Sequence, residues 1–424
     1  MKKGLVLALA LLTFSFALGR PENTSRKTLE NQAVSAPAAV GISATPSIDG
    51  RLDDWAAYLS GLPAKSEPFL TWEELAPWQN FRKSVDESWA SFVKLILKPM
   101  EKWSAEELQE PRKEAKTIFY PFGGPDFVTA SAFFPGGRDL ILMGLEPVGN
   151  LPDFEKVSLV WREAFFKDFD TILPDFLKRG YFVTQHMNKV FAAGRVDGSL
   201  PVILFFMKRT GCDLVGIKRL FPDAGGSWRE KPYERLTRLP RRPYGIRIDY
   251  VERGGGPVRS VEYYSCDLEN KAFGKDSPLY RRFNELGDFT TCIKSASYLM
   301  HYADFSNIRN LILAKSLYVI EDDTSIPYRY FKSQGWDIQL FGEYAKPISD
   351  FSGVDQPDLK QAYENPASHV KKLPFHYGYR WETHIDNLSI MKRPALATGA
   401  SASTGSHSAM SSKLGRGRST YSRR

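Results

Sequence analysis

The stretch Lys116-Thr-Ile-Phe-Tyr-Pro-Phe-Gly-Gly-Pro-Asp-Phe-Val-Thr-Ala-Ser-Ala-Phe-Phe-Pro135 restricts the fold more than any other part of the chain. It reads as a short apolar strand, a sharp Pro/Gly corner and a short helix, with Arg138 to Leu145 following as a second apolar strand. Two strands joined by a helix form a βαβ unit, which belongs in a parallel or mixed sheet. The corner Pro121-Phe-Gly-Gly-Pro-Asp126 then falls at the carboxyl end of a strand, the edge where open α/β sheets place ligands. Gly123 and Gly124 would let the backbone approach a ligand, and the helix start offers free N–H groups. The spacing is neither a P-loop nor GxGxxG. Asp126 is also placed to cap the helix, which would make the corner structural and occupy the donors an anion needs.

The ends of the chain differ from its body. Met1-Lys-Lys followed by an apolar run from Leu5 to Leu18, with Ala17 and Gly19 at the exit, predicts a signal peptide over 1–19 cut before Arg20. No Cys follows the run, and no later apolar stretch reaches membrane length. Residues 20–49 read as a flexible leader, 50–393 as a single α/β domain, and 394–424 as a disordered basic tail without Asp or Glu. Lys2, Lys3 and the seven cations from Lys392 onward account for the basicity; without these nine, the 57 Lys and Arg fall to 48 against 49 Asp and Glu. The body therefore lacks the cationic excess that binds nucleic acid by counterion release. The mature protein is expected to be soluble and periplasmic or extracellular, with no transmembrane segment after cleavage.

Within the body, Trp78, Phe81, Val85, Trp89, Phe92 and Ile96 recur at spacings of three and four, predicting a helix that ends before Pro99. Phe154, Val157, Trp161, Ala164 or Phe165, and Phe169 predict another, stopped before Pro174, and 176–191 a third with Gly180 as its weak point. Val202-Ile-Leu-Phe-Phe-Met207 predicts a central strand with 214–220 beside it, and 223–243 a surface excursion. The alternating runs 245–252 and 258–265, separated by Gly254, Gly255 and Gly256, predict a hairpin. Ser277 and Ser306 are placed to start helices, 317–320 is a strand, 336–344 the last strand, and the rest to Arg393 is irregular. The expected fold is α/β or α+β: a mixed, partly parallel sheet with helices on its faces.

Polar residues suggest chemistry at two further places. Ile320-Glu-Asp-Asp-Thr-Ser-Ile-Pro-Tyr-Arg-Tyr-Phe331 also follows a strand; Asp322 and Asp323 could act as acid and base or hold a hard cation, or Arg329 could neutralise one of them in a structural turn. In Lys294-Ser-Ala-Ser-Tyr-Leu-Met-His301, Ser295 or Ser297 with His301 invites a hydrolase reading, although no GxSxG elbow exists and a single His near apolar residues is commonly a hydrogen-bonded core residue. His369, His376 and His384 lack metal spacing, no CxxC occurs, and no metal or cofactor is assigned. Cys212, Cys266 and Cys292 allow one disulfide with one thiol over. With 42% apolar and 13% aromatic residues, the chain can bury a core without such bridges.

The segments Tyr120–Phe127, Gly144-Leu-Glu-Pro-Val-Gly149, Lys294–His301 and Asp322–Phe331 together resemble an uncharacterised family of exported bacterial proteins, over about 110–390. The resemblance implies export and a single domain and transfers no catalytic residue. The expected function is binding of a small molecule or cell-envelope component where the two post-strand turns meet, through Gly123, Gly124, Asp126, Arg329 and Tyr330. The alternative is a secreted hydrolase using Asp322, Asp323 or His301.

Overall fold

The computed structural model of the chain describes residues 47–395 apart from 137–138, 239, 241–242, 352 and 384. The expected signal peptide, nearly all of the leader, the tail beyond 395 and His384 lie outside the described residues. The βαβ unit forms as the sequence predicts. Strand β1 (Thr117–Tyr120) enters the corner, α6 (Phe127–Phe133) follows, and β2 (Asp139–Gly144) returns parallel to β1, pairing Ile118 with Leu140 and Tyr120 with Leu142.

Around this unit lies a ten-stranded sheet. The further strands are β3 (Cys212–Pro222), β4 (Trp228–Pro232), β5 (Tyr244–Glu252), β6 (Arg259–Ser265), β7 (Phe289–Ile293), β8 (Ser316–Glu321), β9 (Asp337–Gly342) and β10 (Asn387–Lys392). Their order is β4-β3-β5-β6-β2-β1-β7-β8-β10-β9. The five central strands, β6-β2-β1-β7-β8, are mutually parallel; the flanking strands pair antiparallel. In chain order the parallel strands read 3-2-1-4-5. Succession runs outward from β1 to β6, then restarts on the other side of β1 with β7. That reversal defines a doubly wound sheet, and the crevice at its switch point opens between the carboxyl ends of β1 and β7.

Alternation along the strands explains why both faces are buried. Ile118 and Tyr120 of β1, Leu140 and Leu142 of β2, and Tyr318 and Ile320 of β8 face one core. It is closed by α1 (Gly50–Leu59), α3 (Ala76–Phe92), α4 (Lys98–Glu107), α6, α7 (Leu159–Arg179) and α9 (Leu200–Arg209), with short α2 (Phe69–Glu73), α5 (Gln109–Glu114) and α8 (Thr184–Ala192). Phe119, Ile141, Met143 and Val319 face the other core, closed by α10 (Pro278–Glu285), α11 (Ser306–Lys315) and α12 (Tyr328–Ser333). The last helix, α13 (Pro357–Glu364), packs through Leu359 near Leu340 and Tyr344.

Several expectations are corrected. Residues 202–207 are not a strand but the middle of α9, buried on all sides. A helix sunk in a core is apolar all round, so its run of apolar residues imitates a central strand. Pro201 in the first turn and Lys208 and Arg209 in the last were the helix signals. Strand β4 lies in the supposed surface excursion, and β10 in the supposed irregular C-terminal stretch. Pro99 does not end the first long helix. The turn Val93–Leu97 widens to i→i+5 bonding, with Lys98 N–H donating to the Val93 carbonyl, and this accommodates the proline's missing donor. Likewise Pro174 lies inside α7, and the chain breaks instead at Gly180, the left-handed C-cap. Ser306 is not an N-cap: Asn270 Oδ1 accepts from Asn307 N–H, and the Ser306 hydroxyl accepts from Asn270. All three cysteines are free thiols.

Among the described residues no helix is long and apolar enough to cross a membrane.

Candidate functional site

The turns after the parallel strands meet at one edge, as parallel pairing requires. The turn after β1 carries Phe122–Asp126, that after β2 Leu145 and Glu146, that after β6 Cys266–Leu268, that after β7 Lys294–Ser297, and that after β8 Asp322–Thr324. Asp126 and Asp322 therefore share an edge, separated only by the turn after β7. The turns are tied by their backbones: Gly124 N–H donates to the Met143 carbonyl at 2.9 Å, and Cys266 N–H to the Gly144 carbonyl at 2.9 Å.

Asp126 is the hub of the first turn. Its Oδ1 accepts from Thr129 N–H at 2.9 Å, the N-cap of α6. Its Oδ2 accepts from the Tyr120 hydroxyl and from Lys294 Nζ, each at 2.7 Å. Lys294 also donates to Thr129 Oγ1 at 2.8 Å. Both charged side chains are almost wholly buried, so each depends on the other for its charge compensation.

Above this pair lies the crevice. A small hollow of about 30 Å³ is bordered by Tyr120, Gly123, Gly124, Asp126, Tyr181 and Lys294. An adjoining pocket of about 160 Å³ is bordered by Leu145, Asp267, Leu268, Ser297, Phe305 and Tyr379, among others. Phe122, Glu146, Phe182, Thr184 and Ser295 wall both. A larger hollow of about 690 Å³, beside Leu95, His376 and Trp381, shares no lining residue with these two; His376 there is held between Asp386 and the Arg179 carbonyl.

Glu146 stands at the centre of the crevice. It is 3% exposed, and burial pushes its carboxyl above the usual range while Thr184 hydrogen-bonds to it. A Cβ on Gly144 would meet Glu146 Oε2 at 2.5 Å, and one on Gly124 would meet it at 3.4 Å. Gly124 in the first turn and Gly144 at the end of β2 thus give this carboxylate its room. Gly123 has a second role: a Cβ there would strike the Tyr120 ring at 2.6 Å.

Asp322 and Asp323 are buried and fully engaged. Asp322 Oδ1 accepts from Thr324 N–H and Oγ1 and from Ser325 Oγ, and its Oδ2 from Ser295 N–H at 3.0 Å. Burial, then the neighbouring Asp323 charge, push its carboxyl up to about 6. Asp323 accepts from the Tyr298 hydroxyl, from Arg380 at 2.8 Å and from Asn387 at 2.7 Å. Arg380, not Arg329, neutralises this turn. Arg329 is exposed, with its guanidinium 5.0 Å from the Tyr330 ring, and Tyr330 also stacks with Arg309 at 4.5 Å. Neither Arg329 nor Tyr330 borders the crevice described above. His301 is held neutral, pushed down to about 4 by burial and by Arg329 and Arg309. Among the described residues no cluster of three or more His, Cys, Asp or Glu could hold a metal ion.

The crevice thus unites Gly123, Gly124 and Asp126, singled out in the sequence, and Ser295, considered there only as a hydrolase partner of His301, with Glu146, Lys294 and Asp267, which that reading did not place in a site. One signal could have found Glu146: it lies 22 residues past Gly124, close to the roughly 20-residue spacing between a glycine turn and the ribose-binding acid of doubly wound sheets. Fold and site together define a doubly wound α/β protein with a crevice at its switch point. No family model, no curated protein and no solved structure matches the chain.

Proposed function

We propose that this is an exported protein that binds a phosphate-free nucleoside, with adenosine as the reference ligand, at the switch point. The observation that carries the reading is the buried Glu146 carboxylate beside the glycines of the first turn. In doubly wound sheets an acid at this place accepts hydrogen bonds from ribose hydroxyls. Asp267, exposed at the end of the third parallel strand, offers an acceptor for an exocyclic amine. Phe122, Phe182, Phe305 and Leu268 supply apolar walls for a base.

Charge argues against phosphate. The start of α6 is already occupied by Asp126, and Lys294 is committed to that same carboxylate. Glu146 and Asp267 then leave the crevice anionic, so a phosphate would enter against like charge. A nucleoside, or a nucleoside carrying a cation such as S-adenosylmethionine, meets no such opposition. Export rests on the signal-like start and on the family resemblance, and places the ligand in the periplasm or outside the cell.

Titration calorimetry with adenosine, S-adenosylmethionine, ATP and NAD tests the reading. Adenosine binding, with ATP and NAD at least tenfold weaker, is expected. Absence of adenosine binding, or ATP binding as tightly, would refute it.

A further inference from the structure

The two turns flanking the switch point concentrate backbone strain. Among the described residues, the non-glycine positions with left-handed φ are Phe122 (65°), Ser295 (57°), Ser297 (53°), Tyr298 (55°) and the distant His369 (46°). Three of the five thus lie in the turns after β1 and β7, and Tyr298 directly follows the second. Such conformations are costly for residues with a Cβ and persist only where neighbours over-determine them.

At Ser295 the neighbours are identifiable. Its N–H donates to Asp322 Oδ2 at 3.0 Å, and its carbonyl accepts from the Tyr379 hydroxyl at 2.5 Å. The next amide, Ala296 N–H, donates to Thr324 Oγ1 at 2.9 Å, and Tyr298 N–H to the Thr324 carbonyl at 2.8 Å. Every main-chain group of Ser295 is tied down, yet its buried Oγ has no hydrogen-bond partner. A buried hydroxyl without a partner is unfavourable, and this one belongs to a residue that walls both hollows of the crevice.

We propose that the Ser295 hydroxyl contacts the bound ligand, and that Asp322 is a positioning residue that fixes the Ser295 backbone for this contact. The inference rests on the nucleoside reading and extends it to the part of the ligand lying over the turn after β7. That turn presents the hydroxyls of Ser295 and of the Ser297–Tyr379 pair, joined at 2.7 Å, while its one cation, Lys294, is neutralised by Asp126. The complementary ligand group is an uncharged hydrogen-bonding one, such as the sugar 5′-hydroxyl of adenosine.

Calorimetry with adenosine on Ser295→Gly, Asp322→Asn and the double variant tests the proposal. Glycine adopts the left-handed φ without a Cβ, so Ser295→Gly is expected to melt no lower than wild type and to bind adenosine at least tenfold more weakly. Asp322→Asn should weaken binding in the wild-type background and add nothing in Ser295→Gly, because Asp322 acts through Ser295. Wild-type affinity in Ser295→Gly, or equal losses from Asp322→Asn in both backgrounds, would overturn the proposal and leave the nucleoside reading standing. A wild-type protein that binds no adenosine would overturn the nucleoside reading and this inference with it.

Discussion

Residue by residue, the crevice is built from charges that could not be buried singly. Removing one partner of Asp126–Lys294 leaves the other unpaired in the core, a loss of about 3–5 kcal/mol. Lys294→Met and Asp126→Asn should each show that loss in chemical denaturation, and the double variant should recover much of it; additive losses would mean that the two charges are not coupled. Asp322 predicts a pH effect. Its carboxyl is held above its unfolded value near 3.8, at about 6, so its contribution to stability is fully present below the unfolded value. That contribution is lost as pH rises through about 6. His301, pushed down to about 4, acts in the opposite direction over an overlapping range. The stability difference between wild type and Asp322→Asn isolates the carboxyl: it should fall from pH 4 to pH 7, and a flat difference would refute the assignment.

At the scale of elements, what could be read from the sequence followed how local each signal was. The β1–α6–β2 unit, the β5–β6 hairpin and the Ser277 cap were legible because turn residues, alternation and caps act within a few positions. The buried helix α9 was not, because complete burial erases the 3.6-residue period. Strand β7, whose Thr290 and Thr291 are as buried as its apolar residues, carried no apolar run to betray it, although it forms one wall of the switch point. The turns after β1 and β8 were recognised as one edge; that Arg380 rather than Arg329 would neutralise Asp323 depends on a contact spanning 57 positions. Gly180 offers a check on element boundaries. Its φ of 78° ends α7, and a Cβ there would meet the His376 ring at 3.3 Å. Gly180→Ala should cost about 1 kcal/mol, read from the urea midpoint; an unchanged midpoint would argue against a left-handed cap.

At the scale of the molecule, the doubly wound sheet gathers residues from positions 122 to 379 at one crevice, and the proposed export is a separate matter, argued from the amino-acid sequence alone, with its signal-like start at 1–19. N-terminal sequencing of protein recovered from the periplasm or medium should begin near Arg20, and an uncleaved membrane-bound product would contradict export. Deleting residues 396–424 should leave the melting temperature within about 2 °C of wild type, since about 1 kcal/mol moves a domain of ~150–250 residues by ~2–4 °C; a larger fall would show that the tail packs on the domain.

The central claim is that Glu146 makes the switch-point crevice a nucleoside site. Glu146→Gln keeps the shape of the side chain and removes a buried charge that burial disfavours. The most direct measurement is adenosine affinity by titration calorimetry, with melting temperature, for wild type and Glu146→Gln. The account predicts that wild type binds adenosine and that the variant binds at least tenfold more weakly, a difference of about 1.4 kcal/mol, while melting at the same or a higher temperature. Equal affinity in the two proteins, or no adenosine binding by wild type, would contradict it.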